Sequence, residues 1–213
     1  MLQLVSTPTY SENETFQIIS NASKKIELIN EVECEFYGNC SLKVGNESAA
    51  YFQKVTALKK GNTSIYYYEL FNNTVTNQFT LYSISEKRYI CTQGNCTIQE
   101  DFYPINIFEV PSLISRKNVD VKYLKTESII ERLCSKLVTN TNNFLLNTSG
   151  TENTTIVICV DKENGIPLSL LIYSKLFSYP PIEINMTFVA QKIKERVNES
   201  LFFLPLELRR ILK

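Results

Sequence analysis

Alternation of apolar and polar residues with a period of two dominates the first hundred residues. From Ile26 to Phe36 the even positions are mostly apolar, while the odd positions carry Glu27, Glu31, Glu33 and Glu35. This alternation is typical of a strand buried on one face, so we predict a long strand from Ile26 with a solvated acidic face. Further runs of this kind are YFQKVTAL (51–58), SIYYYELF (64–71), QFTLYSIS (78–85) and RYICT (88–92). Connectors rich in Gly and Asn predict an antiparallel meander.

The later half predicts a second antiparallel section after an apolar crossing segment. PINIFEVPSLISRKN (104–118) predicts one or two short helices or an extended crossing. Residues 128–140 fit a helix or a strand, and a strand is preferred because TTIVICVD (154–161) offers a partner around Cys159. Asn164-Gly165 predicts a hairpin turn. IEINMTFVA (182–190) predicts a strand with a helix-like tail after it, and LFFLPLE (201–207) predicts a closing strand.

These patterns predict a mainly β, β-rich α+β fold: a curved antiparallel sheet or half-open barrel, with one or two short helices covering its concave face. The 213 residues, 44% of them hydrophobic, suit a single domain spanning 1–213, with 1–12 and 207–213 as loose ends. No continuous apolar stretch approaches the length of a membrane-spanning helix. The N-terminus also lacks the basic and apolar regions of a signal peptide. We therefore interpret the chain as a mature fragment whose signal or anchor is not present in it.

The asparagines indicate an exported glycoprotein. Given 20 Asn and 36 Ser plus Thr in 213 residues, chance predicts about three to four Asn-X-Ser/Thr patterns. The sequence contains eleven, at Asn13, Asn21, Asn39, Asn46, Asn62, Asn72, Asn95, Asn147, Asn153, Asn185 and Asn198. Glycans attached there would be bulky and confined to the surface. A polar surface rich in Asn and Thr is the alternative explanation.

The six cysteines indicate an oxidising compartment, and they allow 15 pairings in total. Two of them follow a Gly-Asn pair, in FYGNCS (36–41) and TQGNCT (92–97). Gly-Asn favours a tight turn, so local spacing predicts two stapled turns, Cys34–Cys40 and Cys91–Cys96. The remaining pair is then Cys134–Cys159. Zinc is the alternative, but neither CxxC spacing nor histidine supports it.

The absence of histidine excludes most nucleophilic catalysis and most catalytic metal sites in their usual forms. No Gly-rich phosphate loop is present, and no spacing of carboxylates singles out an acid and a base. Lys plus Arg equal Asp plus Glu at 22 each, without a basic run, so nucleic-acid binding is not expected. We predict a protein that is not an enzyme and takes no cofactor and no metal.

The C-terminal half resembles the lipoprotein-localisation-like superfamily, which includes periplasmic lipoprotein carriers, mycobacterial lipid-carrier lipoproteins and archaeal relatives. The similar pieces are a strand ending in Asp before Gly-hydrophobic-Pro-hydrophobic, and a terminal Phe-x-x-Pro: Val160, Asp161, Gly165, Ile166, Pro167, Leu168, Phe202 or Phe203, and Pro205. The resemblance implies a half-open antiparallel barrel around a hydrophobic cavity for acyl chains, and it suggests an archaeal-type secreted relative.

Four functions fit these features. We favour an extracellular or cell-surface domain that binds a lipid or another apolar small molecule without catalysis. The alternatives are a structural or adhesive surface module, an extracellular carboxylate hydrolase, and a surface glycoprotein that binds a host receptor. Envelope proteins or a membrane surface are further candidate partners. An apolar lid over the ligand is expected from the crossing segment, formed by Ile105, Ile107, Phe108, Val110, Leu113 and Ile114; these residues also fit plain core.

Overall fold

The computed structural model describes residues 10–72, 76–85, 87–93, 95–99, 105–117, 119–142 and 152–211. Its strands are β1 Glu31–Val44, β2 Glu47–Lys60, β3 Thr63–Phe71, β4 Thr76–Ile84, β5 Lys87–Thr92, β6 Asn95–Ile98, β7 Val121–Ile129, β8 Arg132–Asn142, β9 Glu152–Asp161, β10 Pro167–Leu176 and β11 Ile182–Lys194. Its helices are α1 Glu12–Leu28, α2 Val110–Arg116 and α3 Leu206–Ile211, and a 3-10 turn, Ile107–Glu109, precedes α2.

All eleven of these strands belong to one antiparallel sheet, in the order β6-β5-β4-β3-β2-β1-β11-β10-β9-β8-β7. The predicted fold class is confirmed: the sheet is curved and unclosed, as in a half-open barrel. Two meanders meet where β1 pairs with β11. Because β6 and β7 lie at opposite edges, the chain between them must traverse the sheet. The crossing segment, residues 105–117, is the described part of that connection.

The two faces of the sheet carry separate apolar clusters. The inner face, which α1 and the crossing segment cover, holds the main core, with Phe36, Tyr66, Leu137 and Phe188 among its largest members. The outer face of β2–β6 holds a smaller cluster that includes Leu58, Tyr82 and Leu208. Within the described residues, no helix is both long enough and apolar enough to cross a membrane.

Helix α1 replaces the start of the first predicted strand. The alternation from Ile26 predicts a strand there, whereas residues up to Leu28 are helical and β1 begins at Glu31. A capping box at Ser11 and Glu14 starts the helix. Its buried side chains recur every three or four residues: Thr15, Ile19, Ala22, Ser23 and Ile26. That spacing is the helical period, and Ile26 fits both patterns.

The predicted acidic outer face of β1 is wrong at Glu33, which is only 3% exposed. Its carboxylate pairs with Lys194 and accepts a hydrogen bond from the backbone N–H of Asn198 at 3.2 Å. The residues that follow β11 therefore fold back over this position. They form neither the predicted helix-like tail nor a closing strand, because β11 continues to Lys194 and residues 202–205 have no regular structure.

The C-terminal end that was expected to be loose also packs. Residues 206–211 form α3, whose Leu208 is fully buried in the outer cluster. The Glu207 carboxylate accepts a hydrogen bond from the backbone N–H of Cys96 at 3.1 Å. Residues 1–9 and 212–213 lie outside the described residues. The assignment of the whole chain to a single domain stays a prediction.

Two of the three predicted disulfides are present, Cys91–Cys96 and Cys134–Cys159. The predicted Cys34–Cys40 bond is wrong, because both cysteines are buried within the continuous strand β1. Six residues of strand separate them by about 20 Å, far beyond the reach of a disulfide. Gly38 is not in a turn: a Cβ there would lie 1.7 Å from the Thr187 carbonyl oxygen of β11. Glycine at this position permits a close approach of two strands.

Candidate functional site

The apolar residues predicted to contact a ligand lie together beneath the inner face, in the crossing segment. Five of them are buried in the main core: Ile105, Ile107, Phe108, Val110 and Ile114. Leu113 is half-buried and packs against that core. In this conformation the segment therefore fills the interior with its own side chains. A role in ligand binding stays a prediction for all six residues.

Two tyrosines of β3 fix the crossing segment to the sheet. The Tyr66 hydroxyl donates to Asn106 Oδ1 and accepts a hydrogen bond from the backbone N–H of Phe108 at 3.4 Å. The Tyr68 hydroxyl donates to the carbonyl oxygen of Ile105. Burial raises the pKa of Tyr66 well above its ordinary value, so its phenol remains a donor. Asn106 is itself fully buried, and its Nδ2 has no hydrogen-bond partner among the residues that the structure describes.

A cavity of about 750 Å³ lies at one end of the sheet, between α1, the β2–β3 turn, β4 and the crossing segment. Its lining contains five serines, Ser23, Ser64, Ser83, Ser85 and Ser112, and four charged residues, Glu27, Lys59, Glu109 and Arg116. Ile26, Phe108, Leu113, Gly61 and Asn62 complete it. Of the six predicted contact residues, the cavity thus includes Phe108 and Leu113. Its walls combine polar and apolar groups, whereas an acyl chain needs only apolar ones.

Lys59 is the most buried charge of this cavity, with 8% of its surface exposed. Its ammonium donates to the carbonyl oxygens of Ile29 at 2.9 Å and Gly61 at 2.7 Å. Burial lowers the pKa of Lys59, and the nearby carboxylate of Glu27 opposes that shift. Across the cavity, Ser83 Oγ donates to Glu109 Oε1 at 2.7 Å. The lysine therefore ties the end of α1 to the β2–β3 turn, and Glu109 ties the crossing segment to β4.

The polar row to which Lys59 belongs was not predicted from the sequence. Lys59, Ser64, Ser83 and Arg88 are consecutive cross-strand partners on β2 to β5, and all four are buried. They occupy the inner face in phase with Ala57, Tyr66 and Leu81. The sequence does contain a signal for this row, because each of four neighbouring strands has a polar residue two positions from an apolar residue of the same face. Only the register of the sheet aligns those positions.

Most of the predicted glycosylation sites that the structure describes lie at the surface. Nine of these asparagines are exposed: Asn13, Asn21, Asn39, Asn46, Asn62, Asn95, Asn153, Asn185 and Asn198. Asn72 is half-buried, and Asn147 lies outside the described residues. Exposure is required for a glycan to be accommodated, and the nine exposed asparagines meet that requirement. Occupancy stays a prediction.

No family model matches this chain, and neither does any curated protein. Solved structures resemble it over most of both chains. An uncharacterized conserved protein from Thermus thermophilus has a TM-score of 0.49 and 12% identity, covering 90% of this chain and 95% of its own. The lipoprotein LppX of Mycobacterium tuberculosis has a TM-score of 0.46 and 12% identity, covering 88% of this chain and 99% of its own. A LolA superfamily protein from Nitrosomonas europaea has a TM-score of 0.39 and 9% identity, covering 89% of this chain and 97% of its own.

These similarities concern the fold alone. The Gly-hydrophobic-Pro-hydrophobic piece has a structural place: it forms the β9–β10 connection and the start of β10. Gly165 of that connection lies against the backbone of Ala22 in α1. The motif therefore positions the helix that borders the cavity. An archaeal origin stays a prediction.

Proposed function

We propose that this chain is a secreted or cell-surface domain that binds a lipid-like apolar molecule at the inner face of the sheet without transforming it. The observation that supports it most is the cover of that face. In the described residues the cover consists of α1 and the crossing segment, which pack against each other beside an open cavity. Separate short elements of this kind can move apart more easily than a second sheet.

The apolar chain of a ligand would take the place of side chains that the crossing segment now supplies. Ile107 and Ile114 are buried against the sheet and offer the same aliphatic surface as an acyl chain. A chain of about 20 carbons gains roughly 16 kcal/mol on burial at about 0.8 kcal/mol per CH₂. Association and displacement costs of about 8 kcal/mol then leave about 8 kcal/mol, which corresponds to micromolar affinity.

The experiment combines two measurements on protein secreted from a glycosylating host. The first is binding of N-phenyl-1-naphthylamine, a neutral apolar fluorophore, and the second is native mass spectrometry. We expect one saturable site and a co-purified apolar molecule. Leu113→Glu, which introduces a charge at the cavity wall, should lower the affinity for the fluorophore by more than about tenfold. Leu133→Glu is the matched control, because Leu133 is 58% exposed on β8 and outside the cavity. The proposal is contradicted if the fluorophore does not bind and no lipid co-purifies. It is also contradicted if the two variants lower the affinity for the fluorophore equally.

An extracellular location is part of the proposal. Two disulfides fit an oxidising compartment, and the exposed sequons fit passage through a glycosylating one. Peptide mass mapping of protein from its natural host should find glycans at turn positions such as Asn46 and Asn62. If the peptides at all described sequons are unmodified, export through a glycosylating compartment is contradicted.

The structural or adhesive module is the second candidate, favoured by apolar groups on the outer face. Phe52 of β2 and Phe71 of β3 are exposed and stacked, with ring centroids 5.9 Å apart. Leu171 and Val189 are also exposed, on β10 and β11. Exposed apolar groups of this kind can serve as contact surfaces. Concentration-dependent association that Phe52→Ser abolishes, without any fluorophore binding, would favour this module over the carrier.

A further inference from the structure

The cavity beside α1 has a lining that an apolar ligand alone does not explain. Acyl chains need no hydrogen-bond partners, yet most of the residues around this cavity are polar or charged. Among them, Ser64, Ser83 and Lys59 are buried. Lys59 and Ser83 already have hydrogen-bond partners within the chain, but the serine hydroxyls of the lining can still accept further hydrogen bonds. This capacity points to a polar part of the ligand.

The charges in the lining balance each other. Glu27 and Glu109 contribute two carboxylates, and Lys59 and Arg116 contribute two cations. The ammonium of Lys59 is already held by two carbonyl oxygens. Because the two carboxylates offset the two cations, the lining offers neither an anion nor a cation a net electrostatic attraction. A neutral group does not depend on such an attraction.

The hydrogen-bonding groups favour a ligand with hydroxyls. Serine hydroxyls both donate and accept, and five of them line the cavity. Ser83 occupies one oxygen of Glu109, while the other has no donor among the residues that the structure describes. A ligand hydroxyl can donate to that oxygen and accept from a serine at the same time. Phe108 and Leu113 add an apolar wall for the C–H faces of such a ligand.

We propose that this cavity is a subsite for a neutral, polyhydroxylated head group of an amphiphile whose apolar chain lies beneath the crossing segment. The inference rests on the proposed function and assigns the chemical class of its ligand. Glu109 accepts hydrogen bonds from the head group, and the serines exchange hydrogen bonds with it. The cavity of about 750 Å³ is large enough for one sugar-sized group.

The test compares three amphiphiles with the same chain and different heads: decyl β-glucoside, decyl phosphate and decyltrimethylammonium, each below its micelle-forming concentration. Their affinities are measured by calorimetry and by displacement of N-phenyl-1-naphthylamine. We expect the glucoside to bind about tenfold more tightly than either charged amphiphile. A charged amphiphile that binds as tightly as the glucoside overturns the head-group assignment. If the fluorophore still binds in that case, the carrier function survives; if none of the four probes binds, both fail.

Two variants test whether residues of the cavity cause the preference for the glucoside. Glu109→Gln removes a negative charge but keeps the shape, so the ratio of glucoside to phosphate affinity should fall by about tenfold. Ser112→Ala removes a half-buried hydroxyl from the cavity wall, so it should weaken binding of the glucoside a few-fold more than binding of the fluorophore, which has no hydroxyl. Glu69→Gln is the matched control, since Glu69 lies outside the cavity and pairs with Lys54 at 3.9 Å. A glucoside preference that neither Glu109→Gln nor Ser112→Ala changes places the head group elsewhere and overturns the proposal.

Discussion

Gly38 shows how one residue without a side chain sets the spacing of two strands. Beside it, the Asn39 N–H donates to Thr187 Oγ1 at 2.9 Å, and Gln53 Nε2 donates to the Thr187 carbonyl oxygen at 2.8 Å. These bonds hold β1 and β11 together where a Cβ at Gly38 would meet that carbonyl. In a sequence, Gly-Asn indicates a turn, and a glycine that permits close approach of two strands cannot be distinguished from a turn glycine before the partner strand is known.

Gly38→Ala should therefore destabilise the fold by about 3 kcal/mol, since backbone atoms must move to admit the methyl group. Urea unfolding measures the change. Gly61→Ala is the control: a Cβ there meets nothing within 4 Å, and only its φ of +56° is unfavourable. That strain costs about 1 kcal/mol. Equal losses for the two variants would contradict the close-approach explanation.

Tyr82 makes stability depend on pH at the alkaline end. Burial in the outer cluster raises the pKa of its phenol from 10.0 to about 12. The folded state therefore holds this proton more tightly than the unfolded state, and stability falls as pH rises from about 10 to about 12. Urea unfolding at pH 9 and pH 11 should show the loss, and Tyr82→Phe should reduce it. An unchanged pH slope in Tyr82→Phe would show that other groups cause the loss.

At the scale of elements, regular alternation was the most reliable signal. It located the strands of the first meander and the β9–β10 hairpin, whose turn contains Gly165 at a φ of +78°. The β7–β8 hairpin was missed because its turn residues, Ile130 and Glu131, adopt positive φ without Gly or Asn. Helix α1 was missed because the alternating sequence after Ile26 extended the strand prediction into the last turn of the helix.

The β9–β10 connection anchors α1, and Gly165→Ala should release it. A Cβ at Gly165 would lie 2.5 Å from the carbonyl oxygen of Ala22, whereas Lys25 Nζ donates to the Lys162 carbonyl oxygen at 2.6 Å. We expect faster hydrogen exchange at α1 amides, with protection of the central strands β1 and β11 retained. Lys25→Met removes only the hydrogen bond and should have a smaller effect. Uniformly faster exchange over the whole sheet would contradict a local anchor.

The two disulfides should differ in their contribution. Cys134–Cys159 spans 25 residues and joins β8 to β9, whereas Cys91–Cys96 spans 5 residues between β5 and β6. Loop-closure entropy predicts losses of about 3.5 and about 2 kcal/mol on removal. The double variants Cys134→Ser/Cys159→Ser and Cys91→Ser/Cys96→Ser, compared by urea unfolding, measure the difference. A larger loss for the shorter loop would contradict the entropic account.

At the scale of the whole molecule, a curved sheet with helical cover could be predicted from the sequence, but its layering could not. The chain uses both faces: α1 and the crossing segment pack inside, and the residues after β11 pack outside. The polar cavity arises only when β2, β3 and β4 align Lys59, Ser64 and Ser83. Long-range pairings of this kind leave no local signal, so the apolar crossing segment was predictable and the polar cavity beside it was not.

The most direct test of the carrier function is where the apolar chain of a bound ligand lies. Nuclear Overhauser effects can be measured between decyl β-glucoside and isoleucine δ1-methyl groups labelled in deuterated protein. We predict contacts from the decyl chain to Ile107 and Ile114, both buried beneath the inner face. Ile98 on β6 is 63% exposed and serves as the internal reference. Contacts confined to Ile98, or no contacts at saturating ligand, would contradict binding beneath the crossing segment.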